Sequence, residues 1–529
     1  MALKVEVYEK EKVRPSSPTP QTLRYHKLSL LDVLAGPFYI PLILFYDSGA
    51  GPRRHDYDEL RESLSKTLSI LYPLAGRLKD GSIIECNDEG ADFVRANVTN
   101  YDLGEFLRHP KQEDLRQLLP LDPYPEAIHP AMPMLAVQVN RFRCGGTAVG
   151  FCTWHGVTDG GGVAGLFNIL AAINRGEGPT DSASGLVVDV AAIFSPAIPN
   201  ISQVMLTAYA GMKKELRKYT TKRFVFSKQD IERVRNQYSQ SEHHRRPSRV
   251  EALSAFLWAA VIRATLVANP ILKTHWLSHI VNFRKKLNPP LPSECLGNIL
   301  HGTDTVWEVD RGGEPVTGRS LVGRVVEAMD KFTSDYVREM QAEDGFLRSV
   351  RARRSKISDY NEGEIKVLSI SSVCKIPFGE VDFGWGKPVW ICIPQTFVDL
   401  ALFLDTQDGG VEVWIGLEHE IMCNLEKDTE FQSYVSSIHI GERRSEVASL
   451  LRPSDPCSSF RREQSSNGGG SGRARSTAEL LTMAIGGVDG VAASPHLREQ
   501  QWQFGSSNVS QSLHLFPARA VVGRCKVAE

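Results

Sequence analysis

The chain has little that would tie it to a crosslinked, secreted, membrane-spanning or polyanion-binding class. Its nine cysteines stand singly, with no CxxC pair. That argues against a disulfide framework or a structural zinc and fits a reducing compartment. The first twenty residues, "MALKVEVYEKEKVRPSSPTP", hold no apolar run of the kind a secretory signal needs, so a cytoplasmic location is expected and the sequon at Asn97 goes unused. No long block of one charge sign occurs. With 61 Lys and Arg against 62 Asp and Glu the net charge is -1, and no nucleic-acid partner is suggested. The basic pairs Lys213–Lys214, Arg245–Arg246 and Lys285–Lys286 read chiefly as solvated surface. One apolar stretch, residues 28–46, resembles a span, but Asp32, Pro37 and Pro41 interrupt it. A spanning helix needs roughly 20 clean apolar residues, so the stretch reads as buried strand and loop in a soluble protein without a membrane partner.

What is present is ordinary globular composition, 42% hydrophobic and 23% charged over 529 residues, too long for one core. Two domains are the expectation. Helical spacing places Leu60, Leu64, Leu68 and Leu71 on one face after a capping pair, Asp56 and Glu59. Ser248 and Glu251 open a second helix carrying Val250, Leu253, Leu257, Val261 and Ala264. "ALFLDTQDGGVEVWIGL" reads as a hairpin around an Asp-Gly-Gly turn. A Pro-rich break at 194–202 and a charged crossing segment precede a strand, "RFVF", that begins at Arg223. The boundaries are therefore 1–200 for the first domain, 201–222 for the crossing segment and 223–440 for the second domain. Residues 441–529, rich in Ser, Gly and Arg, lack the apolar surface to offset ordering and are expected to be a disordered tail.

The segment "WHGVTDGGG", 154–162, is the strongest candidate for chemistry. "TAVGFCTWH" has strand character, and "GVAGLFNILAAI" has helix character with Leu166, Phe167, Ile169, Leu170 and Ile173 on its buried side. His155 thus ends a strand, and Gly160, Gly161 and Gly162 open a helix, where free backbone N–H groups and close approach are available. Three readings compete. A metal pair of His155 and Asp159 would need a continuous helix and a third ligand, and no partner cluster stands out. A Ser-His-Asp hydrolase would want a GxSxG elbow, absent before residue 440. A lone general base would take a proton from an alcohol or amine attacking a thioester, with no covalent intermediate. HxxxD is common by chance, so on this motif alone a buried, hydrogen-bonded histidine beside a tight turn is the better reading.

Other motifs stand in a fixed order with it: "RPSSPTP" at 14–20, "FYIPLILFY" at 38–46, "YPLAGRL" at 72–78, "RVEALSAFLW" at 249–258, "VNFRKKLNPPLP" at 281–292 with "GN" at 297–298, and "DFGWGKP" at 382–388. Together they resemble the plant BAHD acyltransferases, particularly the vinorine-synthase-like, often acetyl-transferring branch, over roughly residues 1–440. The resemblance implies an α/β fold of two chloramphenicol-acetyltransferase-like domains, each a mixed sheet flanked by helices, with a channel between them. Acyl-CoA, most simply acetyl-CoA, would enter from one face as co-substrate, and a small-molecule acceptor from the other. The acceptor would be a hydroxylated terpenoid or alkaloid. No bound cofactor and no metal are implied, and a cytosolic monomer is expected. His155 would be the base. Asp159 would point away from it and pair with Arg284, and Asp382, Gly384, Trp385 and Gly386 would be architecture. Candidates for acyl-CoA contact are Ser254, Lys285, Lys286 and the glycines 160–162, which could line the pantetheine arm. Within the enzyme class, transfer of a larger aromatic acyl group or to an amine is the alternative. Outside it, the alternative is a non-catalytic CoA- or metabolite-binding protein. Trp154 stands where some members carry a second histidine, and the tail after 440 has no counterpart in the family.

Overall fold

Two six-stranded mixed sheets, each backed by helices, organise the chain. The computed structural model describes residues 2–435 except 50, 52–53, 179–184, 197–204, 206–208, 211–212, 240–244, 310–314, 343 and 359–363. The expected tail lies outside the described residues.

The strands, in chain order, are β1 (Val5–Val13), β2 (Tyr25–Lys27), β3 (Tyr39–Tyr46), β4 (Arg77–Lys79), β5 (Ile83–Glu85), β6 (Ala91–Val98), β7 (Leu135–Phe142), β8 (Thr147–Trp154), β9 (Tyr219–Phe226), β10 (Thr274–Asn282), β11 (Leu300–Glu308), β12 (Ile365–Ser372), β13 (Trp390–Cys392), β14 (Leu400–Asp405) and β15 (Val411–Glu418). The first sheet runs β1-β6-β7-β8-β3-β13, the second β11-β10-β12-β14-β15-β9, and β2-β5-β4 form a small third. β3 and β8 pair antiparallel with Tyr39 opposite Trp154, and every residue of β8 is buried. Such a strand, covered on both faces, reads as a continuous apolar run rather than an alternation.

The capped helices form where the pattern placed them. Asp56 accepts from the backbone N–H groups of Asp58 and Glu59 at the head of the Tyr57–Ile70 helix, and Ser248 and Glu251 make a reciprocal capping box on the Arg249–Ala268 helix. Among the described residues this second helix is the one long and apolar enough to span a membrane, and 78% of that stretch is buried. It packs against the Lys228–Tyr238, Gly318–Asp330 and His419–Leu425 helices as the centre of the second core. The hairpin is β14–β15, with Leu400 opposite Gly416.

Three expectations change. The loop within residues 28–46 contains the one-turn Leu30–Leu34 helix, because Ser29 and Asp32 form a capping box that satisfies its first N–H groups. The strand expected at Arg223 starts at Tyr219, since Tyr219, Thr220, Thr221 and Lys222 pair with Glu418, Leu417, Gly416 and Ile415 of β15. The crossing segment is therefore strand in its last four residues. The linear division also breaks at β13, which belongs to the second half of the chain yet extends the first sheet, Trp390 facing Phe45.

Candidate active site

β8 carries the chain to the seam between the two sheets, and His155 is the first residue past its end. Its backbone N–H donates to Phe38 O at 2.9 Å, and its ring stands edge-on to Phe38 with centroids 5.0 Å apart. Nδ1 is buried with no hydrogen-bond partner, which leaves Nε2 as the ring nitrogen open to the adjoining cavity. Burial lowers the pKa of His155 below the ordinary imidazole value, while its own backbone carbonyl and the charge of Asp159 act in the opposite direction. Burial thus favours the neutral imidazole, the form that can accept a proton.

The cavity beside His155 has a volume of about 210 Å³ and a mainly apolar lining that includes Leu31, Phe38, Leu300, Phe346 and Phe397. A second histidine, His301, lines it too. Its Nε2 lies 3.0 Å from Ser349 Oγ and 3.3 Å from Tyr336 OH, and burial, aided by the nearby Arg353 charge, pushes its pKa down to about 3. Sequence patterning gave no sign of His301, because a lone histidine in a strand carries no spacing signal.

Asp159 caps the helix that follows and does not touch the imidazole. Its Oδ1 accepts from Gly161 N at 2.9 Å and Gly162 N at 3.3 Å, and its Oδ2 accepts from Ile299 N at 3.1 Å. Arg284 grips both oxygens, Nη1 to Oδ2 at 2.8 Å and Nη2 to Oδ1 at 2.9 Å, and both side chains are 1% exposed. Arg284 also donates to the carbonyls of Cys295 and Gly297 at 3.0 and 2.9 Å. Despite the burial that opposes its charge, the neighbouring Asp159 raises its pKa. The pair joins the turn after His155 to the 284–299 segment.

The glycines answer to the same junction. A Cβ on Gly161 would stand 2.6 Å from Ser293 O, and one on Gly162 only 2.0 Å from Thr158 Oγ1 and 3.1 Å from Cys295 O. The room they leave is taken up by the Thr158 side chain and the 293–295 backbone, and neither Gly161 nor Gly162 lines the cavity beside His155. Gly160 alone keeps partial exposure, facing Val373 and Ile376. Gly162→Ala should therefore cost about 1–3 kcal/mol through overpacking, measured as a lowered thermal midpoint. An unchanged midpoint would show that the junction yields.

Two side chains with no assigned role complete the site. Asn298 Nδ2 donates to His155 O at 2.7 Å and to Asp32 Oδ1 at 3.1 Å, while Asn298 N donates to the same Asp32 oxygen at 2.7 Å. Asp32 holds its other oxygen against Ser29 N and Oγ at 2.8 and 2.6 Å. The carboxylate that interrupts the apolar stretch is thus a buried bracket on the backbone of His155. A charge placed in an apolar run was the available signal, since a buried carboxylate demands partners.

The remaining candidates lie apart from the cavity. Asp382 Oδ1 accepts from Gly384 N at 2.7 Å and Gly386 N at 2.9 Å, and both glycines sit at positive φ, +89° and +88°. Trp385 is fully buried among Tyr46, His55 and Phe383 in the first core. Ser254 is buried in the second core with its Oγ 2.8 Å from His279 Nε2. Lys285 is exposed and Lys286 half-buried on the short turn with Arg284. Among the described residues, no three His, Cys, Asp or Glu side chains converge as a metal site.

Comparison with known proteins bears on the whole of this architecture. The model of the Transferase family matches residues 3–432. A limonoid 21-O-acetyltransferase of Melia azedarach is 33% identical over 438 residues, 82% of this chain and 99% of that protein. Stemmadenine O-acetyltransferase of Catharanthus roseus is 32% identical over 438 residues, 81% and 97% of the two chains. Among solved structures, vinorine synthase superposes with a TM-score of 0.67 at 30% identity, covering 83% of this chain and all of that one.

Proposed function

Because the chain belongs to the BAHD transferase family and is an acyltransferase, we propose that it moves an acetyl group from acetyl-CoA to a hydroxyl of a plant terpenoid or alkaloid. The observation that carries the reading is the neutral, deep-set imidazole of His155, with one ring nitrogen open to a largely apolar cavity. The relatives whose names specify acetyl transfer to oxygen support the choice of group and acceptor.

In this reading His155 Nε2 takes the proton from the acceptor hydroxyl as its oxygen attacks the thioester carbonyl. A C–O bond forms, the carbonyl electrons move onto oxygen, and the tetrahedral intermediate collapses with cleavage of the C–S bond. CoA leaves as thiolate and recovers the proton from the imidazolium. Meeting of both substrates at one histidine makes the attack effectively unimolecular. The apolar lining excludes water that would otherwise hydrolyse the thioester. The Asp32–Asn298 bracket fixes the backbone of the base, and the Asp159–Arg284 pair fixes the turn behind it. The proposal takes the protein as a cytosolic monomer.

The test is thiol release from acetyl-CoA and from an aromatic acyl-CoA, with and without a panel of hydroxylated terpenoids and alkaloids. Acceptor-dependent release from acetyl-CoA that survives truncation near residue 440 is the expected outcome. Release only from the aromatic thioester would move the donor assignment to the larger acyl group. Absence of release together with absence of stabilisation by CoA would sink the transferase reading.

A further inference from the structure

The site that holds His155 also carries information on the charge of what it accepts. Among the described residues lining the 210 Å³ cavity there is no aspartate or glutamate, and its one cation is Arg353. The larger groove that opens from it, about 960 Å³, shares His301, Gly302 and Arg353 with the cavity. Among the described residues that groove is walled by five arginines and lysines against three carboxylates. Of those carboxylates, Asp304 is bound to Arg353 Nε at 2.9 Å and Glu327 to Lys331 at 2.8 Å. A cation entering by this groove would meet a surplus of positive charge among the described residues on the way in and no described carboxylate in the cavity at its end. Burying a charge without a counter-charge is strongly unfavourable.

Arg353 also offers something specific. Its Nε is ion-paired with Asp304 Oδ2 at 2.9 Å, outside hydrogen-bond geometry, and its Nη2 donates to Ser278 Oγ at 2.9 Å. Nη1 has no hydrogen-bond partner among the described residues and stands against Gly302, at the place where cavity and groove meet. A guanidinium fixed on two sides presents its remaining N–H groups in one direction, and such a donor suits a carbonyl, ester or lactone oxygen.

We propose that the acceptor is an uncharged, mainly apolar polycyclic alcohol bearing a carbonyl-type oxygen that Arg353 Nη1 binds, and that alcohols carrying a protonated amine are discriminated against. This rests on the acyl-transfer reading for the identity of the reacting hydroxyl, but its charge argument concerns binding alone. Of the two acceptor classes left open above, it selects the terpenoid type.

The test compares two steroid-sized polycyclic alcohols that differ at one ring position, a ketone in one and a protonated tertiary amine in the other. Dissociation constants are measured by calorimetry on the full chain, and thiol release from acetyl-CoA is followed in parallel. The ketone should bind at least about tenfold tighter than the ammonium, as expected for loss of one charged-donor hydrogen bond and for an unpaired cation. Arg353→Gln should weaken ketone binding by about tenfold and narrow the gap, with CoA binding retained as the check on folding. The double variant Asp304→Asn/Arg353→Gln, which leaves no unpaired carboxylate, should show the same loss. Equal or tighter binding of the ammonium, no binding by either alcohol, or unchanged constants in both variants would overturn the proposal. Thiol release that prefers the ammonium would keep acyl transfer and remove this inference. Ketone-selective binding without release from any acyl-CoA would do the reverse.

Discussion

Replacing His155 by alanine should lower kcat by roughly a hundred- to ten-thousand-fold, the usual contribution of a positioned general base, while leaving CoA-dependent thermal stabilisation in place. The two readouts separate loss of the base from loss of the fold. His155 follows its strand with its backbone N–H donating to Phe38 O and its carbonyl accepting from Asn298 Nδ2, and neither contact uses the imidazole. The wild-type pH profile carries a second, independent expectation. Burial lowers the His155 pKa, so the ring stays neutral at pH values where a free imidazole has already gained its proton. The acid limb of kcat/KM should therefore fall with its midpoint below 6.5, the unperturbed value, and activity should be level across neutrality. A midpoint above 6.5 would mean that a partner stabilises the imidazolium, contrary to the unpartnered Nδ1. If the alanine variant keeps more than a tenth of wild-type kcat, His155 is not the base.

Much of this site could be read from the sequence, and the parts that could not share a cause. His155 at a strand end and a helix opening at Gly160 follow from the switch of apolar periodicity at 155–160, which is a local property. The Ser248–Glu251 cap and the β14–β15 hairpin were legible for the same reason. The partnership of Asp159 with Arg284 spans 125 residues, and that of Asn298 with Asp32 spans 266. No periodicity encodes such distances. The first came from resemblance and the second was missed, although Asp32 stood out as a charge inside an apolar run. Gly161 and Gly162 show the limit most plainly. Their small size was legible, but whether the vacated space belongs to ligand or to the 293–295 backbone depends on a segment more than a hundred residues away. The addition of β13 to the first sheet is of the same kind, since three residues cannot announce which edge they join.

Asp159→Ala should destabilise the protein by about 3–5 kcal/mol, the cost of stripping a buried charge of its partner. Arg284 would remain 1% exposed, with two backbone carbonyls but no counter-ion, and the helix at Gly160 would lose its cap, worth about 0.5–2 kcal/mol. Against a total stability of roughly 5–15 kcal/mol this is a large share, read as a drop in thermal midpoint and in soluble yield. The double variant Asp159→Leu/Arg284→Met removes both charges and should recover part of the loss, because the attraction within the pair is offset by the desolvation of its members. The kinetic prediction divides a scaffold from a relay. Where a carboxylate orients a catalytic imidazole directly, its amide replacement lowers kcat about 10⁴-fold. Asp159 makes no such contact, and all of its bonds run to Gly161, Gly162, Ile299 and Arg284. Asp159→Asn, normalised to folded protein, should therefore lose less than about a hundredfold, well short of that relay value. Its acid limb should move slightly downward, since the Asp159 charge is one of the influences that raise the His155 pKa. A 10⁴-fold loss in fully folded Asp159→Asn would make Asp159 part of the proton-transfer machinery, and the pair with Arg284 would then be secondary.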